Sequence, residues 1–191
     1  IVEAKNPLLI AGHEITRAKA QKEMIAFAEL LGIPVTRERG LFLDFPSMHP
    51  LFLGDFVANM RFPRNMDLIV NIGGQFPRMS ENAEADPFVF LPKGVKIIHA
   101  RIEPDDIARL FPTSFSIAGD AGHTLRDLTD AVKSMLTQER IEAIRKPRLE
   151  AASKFTSALR ESWRRAAQAD RDLRGERGSG RRVPRAARGL L

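Results

Sequence analysis

The chain has 191 residues, enough for one domain of ordinary size with a packed core and some excess. Apolar residues make up 43% of it, and cysteine is absent, which excludes disulfides and thiolate metal sites. The net charge of +6 is uneven: residues 1–159 carry 20 basic and 20 acidic side chains, whereas residues 160–191 carry ten Arg and four acids. The body is therefore near neutral, and the basic average says nothing about its ligand. No apolar run approaches the ~20 residues that span a bilayer. There is no secretory n-region and h-region at the start. These features fit a cytoplasmic protein with no membrane partner. The start at Ile1 rather than Met fits a processed product or a piece of something longer.

Pro7 to Ala11 is a short apolar run closed by Gly12 and reads as a buried parallel strand. From Thr16 to Leu31 the apolar residues Ala20, Met24, Phe27, Ala28 and Leu31 fall at helical spacing, and Gly32 ends the helix. Ile33 to Thr36 is a second strand, with Pro34 where a missing N–H is tolerated. Residues 38–56 are aromatic-rich and irregular, and a helix is expected over part of 54–64. Asp67 to Ile72 is a third strand, closed by Gly73-Gly74. Residues 75–94 read as a loop. Val95 to Ile102 is a fourth strand, with Pro104 opening a short helix through Leu110. Ser114 to Ala118 is a fifth, ending in Gly119-Asp120. Thr124 to Leu136 is an amphipathic helix with Leu125, Leu128, Val132, Met135 and Leu136 on one face.

This alternation predicts an α/β fold: a doubly wound, mostly parallel sheet of five to six strands, Rossmann-like, over residues 1–137. Two helical segments follow, near 138–146 and 147–172, with Pro147 suited to the first turn of the second. Leu149, Ala152, Phe155, Leu159, Trp163 and Ala166 form an apolar stripe on that second segment. Residues 138–173 thus read as linker-like C-terminal helices. From Arg174 to Leu191 the pattern dies into Arg, Gly, Ala and Pro, a composition that cannot bury enough apolar area to offset ordering entropy, so a disordered tail is expected.

Several groups should meet at the carboxyl ends of the strands, where open α/β sheets hold ligands. Gly12-His13 follows the first strand, and a glycine there permits close approach to a phosphate; it also suits an ordinary strand-to-helix turn. Gly73-Gly74-Gln75 follows the third strand. Arg101 and Glu103 end the fourth, in the stretch Lys96-Ile97-Ile98-His99-Ala100-Arg101-Ile102-Glu103-Pro104-Asp105-Asp106-Ile107. Gly119 and Asp120 follow the fifth, and Asp120 also suits a helix N-cap. These nine residues, from Gly12 to Asp120, are the candidate cofactor-binding set. No catalytic residue and no metal site is assigned. The histidines His13, His49, His99 and His123 lie in unrelated segments without ligand spacing. No Walker A loop and no nucleophile triad stands out.

The cluster Phe42, Phe45, Leu51, Phe52, Leu53, Phe56 either packs under its own helices or faces another domain or subunit; a mixture of the two is expected. The Arg-rich tail has three readings. It could bind nucleic acid, a weak case without interleaved aromatics. It could be a solvated terminus. Or it could be out-of-frame translation of a GC-rich gene after about Asp172.

Taken in order, six segments resemble the central domain of the thiamine-diphosphate enzymes of the acetolactate synthase and 2-oxoacid or oxalyl-CoA decarboxylase type. They are Asn6 to Gly12, Leu30 to Val35, Gly40 with His49 to Gly54, Met66 to Gly73, Ile97 to Ile107, and Ile117 to Ala121. The resemblance runs from about Asn6 to Leu136. It implies a parent with three domains, in which thiamine diphosphate and Mg²⁺ are held by the first and third. Neither the family's Gly-Asp-Gly with a downstream Asn nor its activating glutamate is found here; Glu14, Glu38 and Glu103 are the nearest strand-end acids and lack that glutamate's surroundings. The central domain binds FAD in some members, ADP in others and nothing in the rest. Here the family's triple glycine is Ala11-Gly12-His13, its nucleotide-touching Arg is Gln75, and its ribose-binding Asp is Arg101, while Glu103 keeps an acid. The resemblance therefore implies a vestigial or structural domain, inactive alone, that does not take FAD; ADP near Gly12, Arg101 and Gly119 is the alternative. Implied partners are the parent's N- and C-terminal domains and further copies in a homo-oligomer.

Overall fold

The computed structural model describes residues 1–38, 42–56, 65–75, 91–109 and 112–178. Six strands form one sheet: β1 (Pro7–Ala11), β2 (Val35–Arg37), β3 (Phe52–Asp55), β4 (Leu68–Ile72), β5 (Lys96–Arg101) and β6 (Phe115–Ala118). Their order is β3-β2-β1-β4-β5-β6, and every pairing is parallel. The expected doubly wound α/β fold is present. The two central strands, β1 and β4, are buried along their whole length, as residues covered on both faces must be.

Alternation along the strands divides the core. Leu9, Ala11, Val70 and Ile72 point to one face, where they meet Met24, Phe27 and Leu31 of α2 (Gln21–Leu31) and Leu125 and Val132 of α3 (Ala121–Met135). Leu8, Ile10, Ile69 and Ile97 point to the other, with Leu53, Phe56 and Met66. Strand β6 lies at the sheet edge and is mostly exposed; Phe115 is 67% accessible.

Four expectations need correction. The helix expected over Thr16–Leu31 is two helices, α1 (His13–Arg17) and α2, separated at Ala18–Ala20 by Lys19 at φ 55°. A left-handed lysine costs about 1–2 kcal/mol and carries no signal in sequence. Residues 38–56 are not wholly irregular: Phe52–Asp55 is the edge strand β3, docked beside β2 through Val35 and Arg37. The helix expected over 54–64 lies largely outside the described residues, as does most of the 75–94 loop; Gly54 and Asp55 belong to β3. The helix from Pro104 is a single 3-10 turn, Pro104–Asp106.

The fourth concerns the C-terminal helices. The two expected segments are one helix, α4 (Gln138–Gly178), with Pro147 inside it. Tertiary contacts offset the hydrogen bond that Pro147 cannot donate. Arg145 Nε donates to the Glu29 carbonyl (2.9 Å), and Arg148 Nη2 donates to the carbonyls of Ala4 (2.6 Å) and Ile1 (3.1 Å). Arg160 Nη2 donates to the Met48 and His49 carbonyls, each at 2.9 Å. Ala152 and Thr156 are buried beneath, whereas Trp163, further along the expected stripe, is 44% exposed. The backbone stays helical past Arg174 to Gly178, and the rest of the tail lies outside the described residues.

The aromatic cluster resolves mostly inward. Phe45, Leu51, Phe52, Leu53 and Phe56 are all at most 3% exposed in the chain's own core, and only Phe42, at 51%, faces outward.

Candidate functional site

The strand order reverses between β1 and β4, so the crevice outside their carboxyl ends is where this topology places a ligand. Here the crevice is closed by backbone. Gly12 N–H donates to the Ile72 carbonyl (2.9 Å), Gly73 N–H to Ala100 (2.8 Å) and Glu14 N–H to Gly73 (3.1 Å). A Cβ on Gly12 would stand 2.1 Å from Gly74 Cα, and one on Gly73, at φ 70°, would stand 2.6 Å from Glu14 Cβ. These glycines serve close approach of backbone to backbone.

Above this contact sits a buried ion pair. Glu14, in the first turn of α1, is 4% exposed, and Arg101, ending β5, is 3% exposed. Arg101 donates to Glu14 Oε1 from Nε (2.9 Å) and Nη2 (2.9 Å), and Ile102 N–H donates to Oε2 (3.1 Å). Arg101 Nη2 also reaches Asp106 Oδ2 at 3.2 Å. Gln75 Nε2 donates to the same oxygen (3.2 Å), and with Arg101 and Arg109 it holds the Asp106 carboxyl below its ordinary range. Arg101 Nη1 is buried without a hydrogen-bond partner.

Next to this group, the Gly74 carbonyl accepts from Asn71 Nδ2 (2.9 Å) and from His99 Nε2 (2.8 Å). Burial pushes the His99 pKa down, partly opposed by that bond. Buried Glu38 stands 3.6 Å from His13 Nδ1, and the His13 ring lies 6.4 Å from that of Phe42.

The structure thus brings together Gly12, His13, Gly73, Gly74, Gln75 and Arg101. Glu103 lies apart: it is exposed and precedes the 3-10 turn without a side-chain cap bond. Gly119 continues the β5–β6 ladder by donating to the Arg101 carbonyl (2.8 Å). Asp120 caps α3, accepting from His123 N–H (2.9 Å), and that bond leads in holding its carboxyl low. Glu14 and Asp106 were missed as members of the cluster. The signal was Arg101 itself, since a cation ending a buried strand needs an acid, here one 87 positions away. The open space beside this cluster, lined by Glu14, Arg17, Ala18, Ile102, Asp120 and Ala121, has a volume of about 200 Å³. Small-molecule pockets run to ~300–1,000 Å³. Among the described residues, no group of three or more acids and histidines is placed to hold a metal ion.

The fold and the switch-point glycines define a domain of the dinucleotide-fold type with a closed crevice. Residues 1–128 match the profile of the thiamine pyrophosphate enzyme central domain, and the chain belongs to that family. It is 34% identical over 139 residues to the acetolactate synthase large subunit of Corynebacterium glutamicum, covering 70% of this chain and 22% of that protein. It is 32% identical over 137 residues to a probable acetolactate synthase large subunit of Methanocaldococcus jannaschii, covering 69% of this chain and 22% of that one. Among solved structures, a putative thiamin diphosphate-dependent enzyme from Mycobacterium smegmatis superposes with TM-score 0.56 at 30% identity, covering 69% of this chain and 25% of that one. The thiamine diphosphate-dependent 4-hydroxybenzoylformate decarboxylase of Rhodococcus jostii gives TM-score 0.57 at 26% identity, covering 69% and 25%. The chain therefore spans about a quarter of the length of these relatives. Among its described residues, no helix is long and apolar enough to cross a membrane.

Proposed function

We propose that this chain serves as the structural central domain of a thiamine-diphosphate- and Mg²⁺-dependent decarboxylase, synthase or lyase, and is not catalytic alone. Its partners are N- and C-terminal domains of that enzyme, in a homo-oligomer. The observation that carries the reading is the buried Glu14–Arg101 pair over the Gly12–Gly74 contact. Nucleotide folds leave the first helix's N–H groups and a glycine gap for a pyrophosphate. In this chain Glu14 N–H is spent on the Gly73 carbonyl, and the protein's own carboxylate supplies the anion. A phosphate brought there would meet Glu14, Asp106 and Asp120, and the repulsion is strongest at the buried Glu14. FAD does not fit this donor set. Nor do the described residues fit thiamine diphosphate with its metal, so no chemical step is assigned to them.

One feature favours the alternative of an ADP-binding module: the unpartnered Arg101 Nη1 is a donor that a phosphate oxygen could satisfy. The two readings separate in a thermal melt with ADP, with FAD, and with thiamine diphosphate plus Mg²⁺. Ligands that bind only the native state raise the melting temperature. The structural reading expects no shift from any of them and no CO₂ release from pyruvate, oxalyl-CoA or benzoylformate. A saturable shift with ADP that disappears in Arg101→Met would establish the alternative.

A further inference from the structure

The described residues leave a second opening at the amino-terminal end of the sheet. There residues of α4 and of the segments leading into β1 and β4 line a cavity of about 470 Å³. This lies within the ~300–1,000 Å³ of small-molecule sites and is more than twice the volume beside Glu14. Its walls are mainly apolar, with Leu8, Leu53, Met66, Pro147 and Phe155 among them. Into this lining come two cations, Arg148 and Lys5.

Arg148 is the unusual one. It is 7% exposed, and burial lowers its pKa from the ordinary arginine value. Among the described residues it makes no ion pair. Its terminal nitrogens donate to the carbonyls of Ala4, Ile1 and Leu31, which are neutral acceptors. The acid whose field reaches it is Asp67. That carboxylate is committed to the backbone N–H groups of Lys5 (2.6 Å) and Asn6 (2.8 Å). A desolvated guanidinium held by neutral acceptors, with its acid at a distance and in no ion pair, gains from a further anion. The same cavity wall is apolar, so the anion it suits brings hydrocarbon with it.

We propose that this cavity binds an apolar monocarboxylate, its hydrocarbon against Leu8, Met66, Pro147 and Phe155 and its carboxylate toward Arg148, with Lys5 at the mouth. Nη2 has both hydrogens on the Ile1 and Ala4 carbonyls, so a ligand carboxylate takes the remaining Nη1 hydrogen as one charge-assisted bond. A phosphate dianion would need more donors than one buried cation and one exposed lysine provide. The site lies at the opposite end of the sheet from the Glu14–Arg101 cluster, so it stands or falls independently of the structural reading given above.

The test is calorimetric titration and thermal melting of the 191-residue chain with octanoate, 1-octanol and octyl phosphate. Octanoate is expected to bind saturably and raise the melting temperature. The alcohol should bind at least about tenfold more weakly, the loss of one charge-assisted interaction. Octyl phosphate should be weaker than octanoate. Arg148→Met should abolish the preference for the carboxylate. Because that variant also strips three carbonyls of their donor, Ala151→Trp provides a second arm: Ala151 is an exposed residue of the cavity rim, and the indole should block entry in a folded protein. No saturable octanoate binding up to millimolar concentration overturns the proposal. So does equal binding of octanol, or binding that Ala151→Trp leaves intact.

Discussion

Arg101→Met is the most informative single perturbation. It removes the cation from a pair whose side chains are 4% and 5% exposed, leaving the Glu14 carboxylate with only the Ile102 N–H. Breaking a buried ion pair from one side costs about 3–5 kcal/mol, because the remaining charge stays desolvated. A domain of this size has ~5–15 kcal/mol in total, so the variant should lose a large fraction of its stability. Replacing both partners gives a different result. In Glu14→Leu with Arg101→Met no buried charge remains, and stability should return to within about 1–2 kcal/mol of the parent. The coupling energy of the cycle should therefore be at least ~2 kcal/mol, above the ~0.3–0.5 kcal/mol seen for independent sites. Urea unfolding followed by far-ultraviolet circular dichroism measures all four proteins. Asp106 moderates the outcome, since it holds Arg101 from its exposed side at 3.2 Å and is left behind in every variant. A single variant within 1 kcal/mol of the parent, or a double variant as unstable as the sum of the singles, would refute the view that this pair fills the crevice.

Gly12→Ala should destabilise by at least ~2 kcal/mol, toward the upper end for overpacked sites, because the 2.1 Å contacts are with Gly74 backbone that has no rotamer to yield; calorimetric melting checks it. His99 is held neutral by burial, so its folded pKa lies below 6.5. As pH falls from 6.5 toward that lowered value, the unfolded chain takes up a proton that the folded chain refuses, and stability should fall across this window and then level off. His99→Asn, which keeps a donor for the Gly74 carbonyl, should flatten the profile measured by urea midpoints against pH. Phe45→Ala should cost about 3–5 kcal/mol, since the ring is fully buried. Phe42→Ser with Leu43→Ser should change stability by less than ~0.5 kcal/mol, because both side chains are more than half exposed. If the chain self-associates through this region, that second variant should lower its mass in analytical ultracentrifugation while Phe45→Ala should not do so selectively.

The sequence by itself determined the fold class. Runs such as Pro7–Ala11, and Leu68–Ile72 but for Asn71, are apolar on both alternating sets, which only a strand covered on both faces needs. Gly12, Gly32 and Gly73 marked where those elements turn. The likeness to one family was also legible, because it rests on the order of short segments, a local property of the chain. Strand β3 was not legible, since four residues with a glycine inside give too little period, and it is a strand because β2 offers a free edge. The Pro147 helix was misread for a related reason. Its cost is local, while the bonds from Arg145, Arg148 and Arg160 that carry the helix through come from segments more than a hundred positions away. The inward burial of Phe45, Phe52 and Phe56 likewise depends on what the strands leave open beneath them. The candidate site shows the same division most sharply. The family resemblance marked Arg101 as standing where the family carries a ribose-binding acid, but only folding brought Glu14 against it across 87 positions and pressed Gly12 onto Gly74. Charge pairing and close backbone approach are set by distance in space, and chain separation carries no record of either.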